Sequence, residues 1–231
     1  MVIITGVSSG IGKALALHFL DKQEKVLGIG RRNSIQHPNF IFQACDLNDL
    51  EAVKKLVFDF SNVTQLILIN NAGVIGAIER ISQQSQSDIQ EVLTVNTISP
   101  MLLTQTILKQ FPKTQPFVLV NISSGAGKRA IPSWASYCAS KAALDLFSLT
   151  IYEEEKELGR PLKVYAVSPG VVDTEMQSKI RSAKPPTFSS LETFVNLKNQ
   201  NLLVSTSLVV EKLQRLLNQP YDEKVIYSLK D

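Results

Sequence analysis

The chain has 231 residues, 44% of them hydrophobic and 19% charged, which is enough apolar material for a sizeable core and excludes a disordered or fibrous protein. Its 24 Lys plus Arg against 21 Asp plus Glu leave a formal charge of +3, too small and dispersed a surplus to imply a nucleic-acid or membrane surface. Cys45, Cys138, His18 and His37 have no paired-ligand spacing for zinc, and with neither a bilayer-length apolar run nor a basic leader the chain reads as cytoplasmic.

Strands are predicted at residues 2–5, 25–29, 40–44, 66–69, 117–122, 162–167 and 224–227, and helices at 10–21, 48–60, 87–109, 134–158 and 206–218. Most of the strand runs are nearly continuous in apolar residues, as strands buried on both faces are. The alternation predicts one α/β domain over residues 1–231, a Rossmann-type doubly wound parallel sheet of about seven strands with helices on both faces.

The first strand runs into Thr5-Gly6-Val7-Ser8-Ser9-Gly10-Ile11-Gly12, which also opens the first helix. Glycines there allow a tight turn and a close backbone approach to a pyrophosphate, which the positive end of the helix stabilises. Gly6, Ser8, Ser9, Gly10, Ile11 and Gly12 are the expected cradle. The second strand ends in Gly30-Arg31-Arg32. An acid at that address would accept ribose hydroxyls, whereas Arg31 and Arg32 suit a 2′-phosphate, so NADP(H) is expected over NAD(H). Asn48, with Glu51 three residues on, is the expected cap of the second helix.

Asn70-Asn71-Ala72-Gly73 closes the fourth strand. Asn96 lies in an apolar helical stretch where an amide needs buried partners. The fifth strand delivers Ser123 and Ser124 to the carboxyl edge of the sheet, where open α/β folds bind ligands. Tyr137 and Lys141, four apart at the start of a helix, share one face. An ammonium beside a phenol favours the phenolate, so the pair is expected to lower the tyrosine pKa and make it a general acid or base near neutrality. Cys138 between them is expected to be packing rather than a redox thiol. Gly159-Arg160-Pro161 should end the long helix. The stretch 175–203, with Pro185-Pro186 and weak helical periodicity, is a long excursion of the functional or mobile kind.

In this order the motifs resemble the short-chain dehydrogenase/reductases over nearly the whole chain, and in particular the sepiapterin reductases and microbial benzil reductases. The resemblance implies a tetrad of Asn96, Ser124, Tyr137 and Lys141. Ser124 is preferred to Ser123 because it stands 13 residues before Tyr137, as is typical in the family. It further implies Asp46 and Leu47 at the adenine, Asn71, Ala72 and Gly73 along the cofactor, and Pro169, Gly170, Val171, Val172 and Thr174 at the nicotinamide carboxamide and pyrophosphate. The implied reaction is hydride delivery from NADPH to one carbonyl of a bulky small-molecule diketone such as benzil. Tyr137 donates the proton, Ser124 bonds the oxygen, Lys141 holds the ribose, and Asn96 holds a water that relays protons to Lys141. Residues 175–203 would then form the substrate region, with Met176, Phe188, Phe194 and Trp134 as apolar lining. A sepiapterin-type pterin reductase needs an acid near the C-terminus, for which Asp231 is a poor candidate. A non-catalytic NADP sensor and an NAD-dependent alcohol dehydrogenase are the rival functions for the same fold. A homodimer or tetramer packed through the helices bearing Asn96 and Tyr137 is expected by the same resemblance.

Overall fold

In the computed structural model, residues 1–185 and 187–230 are described; Pro186 of the proline pair and the tail acid Asp231 lie outside the described residues. The strands β1 (Val2–Thr5), β2 (Val26–Gly30), β3 (Phe40–Ala44), β4 (Leu66–Asn70), β5 (Phe117–Ile122), β6 (Leu162–Ser168) and β7 (Ile226–Ser228) form one sheet in the order β3-β2-β1-β4-β5-β6-β7. Every neighbouring pair is parallel, which matches the expected doubly wound α/β fold.

Successive side chains of a strand point to opposite faces, so the apolar runs fill two cores at once. Ile3, Leu68, Leu119 and Val164 pack on one face with residues of α2 (Leu50–Lys54), α4 (Ser99–Gln110) and α5 (Ala135–Glu157). Val2, Ile4, Ile69, Val120 and Tyr165 pack on the other with α1 (Gly10–Asp21) and α8 (Thr206–Asn218). The bounds of α1 and α8 coincide with expectation.

Other boundaries differ, each for a local reason. The helix expected over 48–60 stops at Lys54, because Leu56 and Phe58 turn into the core while Val57 between them is 74% exposed, a period-two pattern that only extended chain provides. Its cap is Asp49 rather than Asn48: Asp49 Oδ1 accepts from the N–H groups of Glu51 and Ala52 at 3.0 and 3.1 Å. The helix expected over 87–109 is three pieces, α3 (Gln86–Leu93), a π turn (Thr94–Ile98) and α4. Pro100 has no N–H to give the carbonyl four residues back, and that carbonyl belongs to Asn96.

Gly159 ends α5 as expected, at φ +64°. The N–H groups of Gly159 and Arg160 bond back to Lys156 and Glu155 at 3.0 Å each, the double closure that a left-handed glycine permits. The 175–203 stretch is not a structureless excursion. It contains α6 (Glu175–Arg181) and α7 (Leu191–Asn199), whose Ile180 and Phe194 are buried.

Candidate active site

From β1 the chain winds outward through β2 and β3, then returns to lay β4 on the other side of β1. The loops leaving β1 and β4 therefore diverge, and a crevice opens at their carboxyl ends. A cavity of about 670 Å³ occupies it, lined by the segments that follow β1, β2, β3, β4, β5 and β6.

The near half of the cavity is a backbone cradle. Gly6 and Gly10 have φ of +73° and +56°, and a Cβ on Gly12 would lie 2.2 Å from the Gly6 oxygen; only glycine fits where the turn folds over the helix. Thr5 and Asn71 weld this turn to the end of β4. Thr5 Oγ1 accepts from the N–H groups of both Asn71 and Ala72 at 3.0 Å. Asn71 Nδ2 donates to the carbonyls of Thr5 and Gly6 at 2.9 and 3.2 Å. Ser9 heads α1 without a side-chain cap, and no acid stands in the first turn, so the positive end of the helix is left for an anion. These residues fit a dinucleotide. Arg31 and Arg32 are exposed beside this half of the cavity, with Asp46 and Leu47 also on its wall. Asp46 Oδ1 accepts from the Asn48 N–H at 3.0 Å, which holds the carboxyl in place.

The far half gathers the side chains expected to do chemistry. Tyr137 and Lys141 reach it from one face of α5, and Ser124 reaches it from the end of β5. Lys141 is 4% exposed, and its Nζ donates to the Ile122 carbonyl at 2.8 Å. Asn96 is fully buried behind the wall rather than on it. Its Oδ1 accepts from the Val74 N–H at 2.8 Å, and its Nδ2 donates to the Val74 carbonyl and to Ser140 Oγ at 2.9 and 3.0 Å. The side-chain amide is thus consumed in joining β4's exit to α5. Gly73 leaves room for the arrangement: a Cβ there would lie 3.3 Å from Asn96 Oδ1 and 3.6 Å from Lys141 Nζ.

The expected electrostatics of the pair are corrected by burial. Tyr137 is pushed above the ordinary 10.0 by desolvation, with its hydrogen bond to Ser124 pulling the other way. Lys141, whose ammonium loses its water, falls from 10.5 to about 8. The lysine, not the tyrosine, is the group brought near neutrality, and the tyrosine keeps its proton.

Beside Tyr137 the wall is aromatic. Trp134 meets the Tyr137 ring edge-on at 5.6 Å and stacks on Phe188 at 5.5 Å, while Phe194 lies 5.3 Å from the indole. Met176 and Ile180 join the same cluster from α6. Trp134, Met176, Ile180 and Phe194 line the cavity; Phe188 packs behind them.

Of the residues expected at the cofactor and the chemistry, Gly12 and Asn96 alone are absent from the cavity wall, and both act from directly beneath it. Pro169, Gly170, Val171, Val172 and Thr174 line it where expected, although Val172 is mostly engaged in a bridge to Val204. Sequence reasoning missed Thr5 and Ser140. A hydroxyl closing a buried apolar strand was the available signal for Thr5. Ser140, fully buried between Asn96 and the Tyr137 carbonyl, gave none.

A family model described as short chain dehydrogenase matches residues 1–185. A benzil reductase ((S)-benzoin forming) of Bacillus cereus is 34% identical, over 94% of this chain and 93% of its own. A sepiapterin reductase of Xenopus tropicalis is 28% identical over 94% and 90%. The crystal structure of a short-chain dehydrogenase/reductase from Saccharomyces cerevisiae superposes with a TM-score of 0.85 at 28% identity, covering 100% of this chain and 96% of that one.

Proposed function

The chain belongs to the short-chain dehydrogenase family of oxidoreductases, and we propose that within it the protein is an NADPH-dependent carbonyl reductase acting on one carbonyl of a bulky aromatic vicinal diketone such as benzil. The observation that carries this reading is the meeting of three parts at one cavity: a glycine cradle, a buried Tyr137 that retains its proton beside Ser124, and an aromatic wall around Trp134.

In this reading Gly6, Gly10 and the free end of α1 hold the pyrophosphate, Arg31 and Arg32 the 2′-phosphate, and Asp46 the adenine. NADPH, when bound, supplies the hydride. Tyr137 gives its proton to the substrate oxygen as negative charge builds there, and the Ser124 hydroxyl hydrogen-bonds the same oxygen. Charged Lys141 holds ribose hydroxyls and stabilises the tyrosine anion left behind. Trp134, Phe194 and Met176 exclude water from the reacting carbonyl and stack against a planar ring. A tyrosine that burial keeps neutral suits reduction, where the enzyme must start with the proton in hand.

Following NADPH absorbance against benzil, isatin, sepiapterin and simple aldehydes tests the proposal. Oxidation should be fastest with the diaryl diketone. Preference for sepiapterin would make the protein a pterin reductase, and no oxidation with any carbonyl would return it to a cofactor sensor. We also propose a homodimer. Ile98 and Met101 by α4 and Leu146 and Leu149 on α5 are 38% to 65% exposed, an apolar surface that a second copy would cover.

A further inference from the structure

We propose that Asp145, one helical turn beyond Lys141 and backed by Ser123, is a positioning residue that keeps the Lys141 ammonium charged at neutral pH. The inference rests on the reductase reading above and adds to it a residue that touches neither substrate nor cofactor.

Among the described residues, Lys141 is buried with one neutral oxygen, that of Ile122, as its hydrogen-bond acceptor. That environment makes an ammonium give up its proton more readily, since burial disfavours the charged form. The opposing influence is Asp145, whose carboxylate raises what desolvation lowers. Asp145 is itself 8% exposed, which is unusual for an aspartate on a long helix. The turn after β5 is pressed against it: a Cβ on Gly127 would lie 3.0 Å from Asp145 Oδ2 and 2.9 Å from the Lys141 carbonyl carbon. Glycine at 127 is what lets that turn seal the carboxylate in.

The two consecutive serines at the end of β5 divide the work. Ser124 faces Tyr137, and Ser123, 3% exposed, faces the carboxylate behind it. Ser123 Oγ and Asp145 Oδ1 are both buried with no well-formed hydrogen bond to another group among the described residues, and the hydroxyl draws the Asp145 carboxyl downward against its own burial. The charged groups acting on Asp145 are Lys128, from the turn after β5, and Lys141 on its own helix. Facing Lys141 are Asp145, the Tyr137 ring at 5.9 Å and the Ile122 carbonyl. No titratable group of α3, the π turn or β6 is among those acting on either residue.

The test is a 13C titration of the lysine Cε resonances in the ligand-free protein, with Lys141 assigned by the signal lost in Lys141→Met. Asp145→Asn should move the Lys141 midpoint down by about one pH unit, and Asp145→Glu should restore part of it. In the unmodified protein the Lys141 resonance should also show a smaller step where the Asp145 carboxyl titrates, which keeps the test open if the Asn variant does not fold. A folded Asp145→Asn with an unchanged midpoint, or no coupled step in the unmodified protein, overturns the proposal. If NADPH oxidation is then measurable, its alkaline limb should move with the midpoint. A chain that shows the NMR shift yet reduces no carbonyl would retain the electrostatic pair and lose the reductase reading, so the two failures are distinct.

Discussion

Gly12 and Asn71 approach so closely that a Cβ on the glycine would sit 2.3 Å from Asn71 Nδ2. The amide that occupies that space ties the first turn to the end of β4 through the carbonyls of Thr5 and Gly6. Gly12→Ala must displace either that amide or the Gly6 carbonyl. It is expected to cost about 1–3 kcal/mol of stability and to weaken NADPH binding at least about tenfold by reshaping the phosphate cradle. Thermal melting and quenching of the single tryptophan, Trp134, read the two effects. Unchanged binding would mean that the turn does not hold the cofactor.

Tyr137→Phe removes the hydroxyl and keeps the ring that Trp134 packs against. Turnover should fall by about 10²–10⁴ while NADPH affinity changes little. A variant that retained full turnover would remove Tyr137 from the role of acid.

Lys141 sets a stability signature. Its pKa is lower folded, about 8, than its ordinary 10.5, so between those values the unfolded chain binds more protons. Stability from this group therefore rises with pH across that window, by up to roughly 3 kcal/mol, and below pH 8 the full cost of burying the charge is present. Denaturant unfolding of the wild type and of Lys141→Met between pH 7.5 and 9.5 should show that slope in the first and not in the second. Reduction has the opposite sign: it should decline as pH rises through about 8 and the ammonium is lost.

Replacing Arg31 and Arg32 together by Gln should weaken NADPH by about tenfold to a hundredfold, the scale of lost charge-assisted phosphate contacts, and leave NADH nearly unchanged. Equal losses for both cofactors would show that these arginines do not read the 2′-phosphate.

The legible parts of this protein were the local and periodic ones. Buried parallel strands announce themselves as apolar runs, and the turn from Gly6 to Gly12 sits where strand meets helix, so sheet and cradle could both be placed from residues alone. What escaped depends on three-dimensional surroundings. The break near Asn96 was half legible: Pro100 stands in the sequence as a helix breaker, whereas the buried partner at Val74 shows only in the fold. The pKa of Tyr137 was expected to move the wrong way because spacing reveals the neighbouring lysine and not the loss of water around the phenol. Asp145 reads in sequence as one more helix acid, since the glycine that seals it in lies 18 residues earlier.

After β6 the chain departs at Val172 and returns at Val204, and these two residues pair as a parallel bridge. The Asp173 N–H bonds the Val204 carbonyl and the Val204 N–H bonds the Val171 carbonyl, each at 2.9 Å. The whole span carrying α6 and α7 is therefore a loop closed at its base and stitched independently of the sheet. Such a span is anchored twice, at its base by this bridge and at its far side by the Thr187 carbonyl, which accepts from Ser133 Oγ, and by Phe188 stacked on Trp134, so a change in its length or lining is felt at the aromatic wall beside Tyr137 while the register of the sheet is left alone.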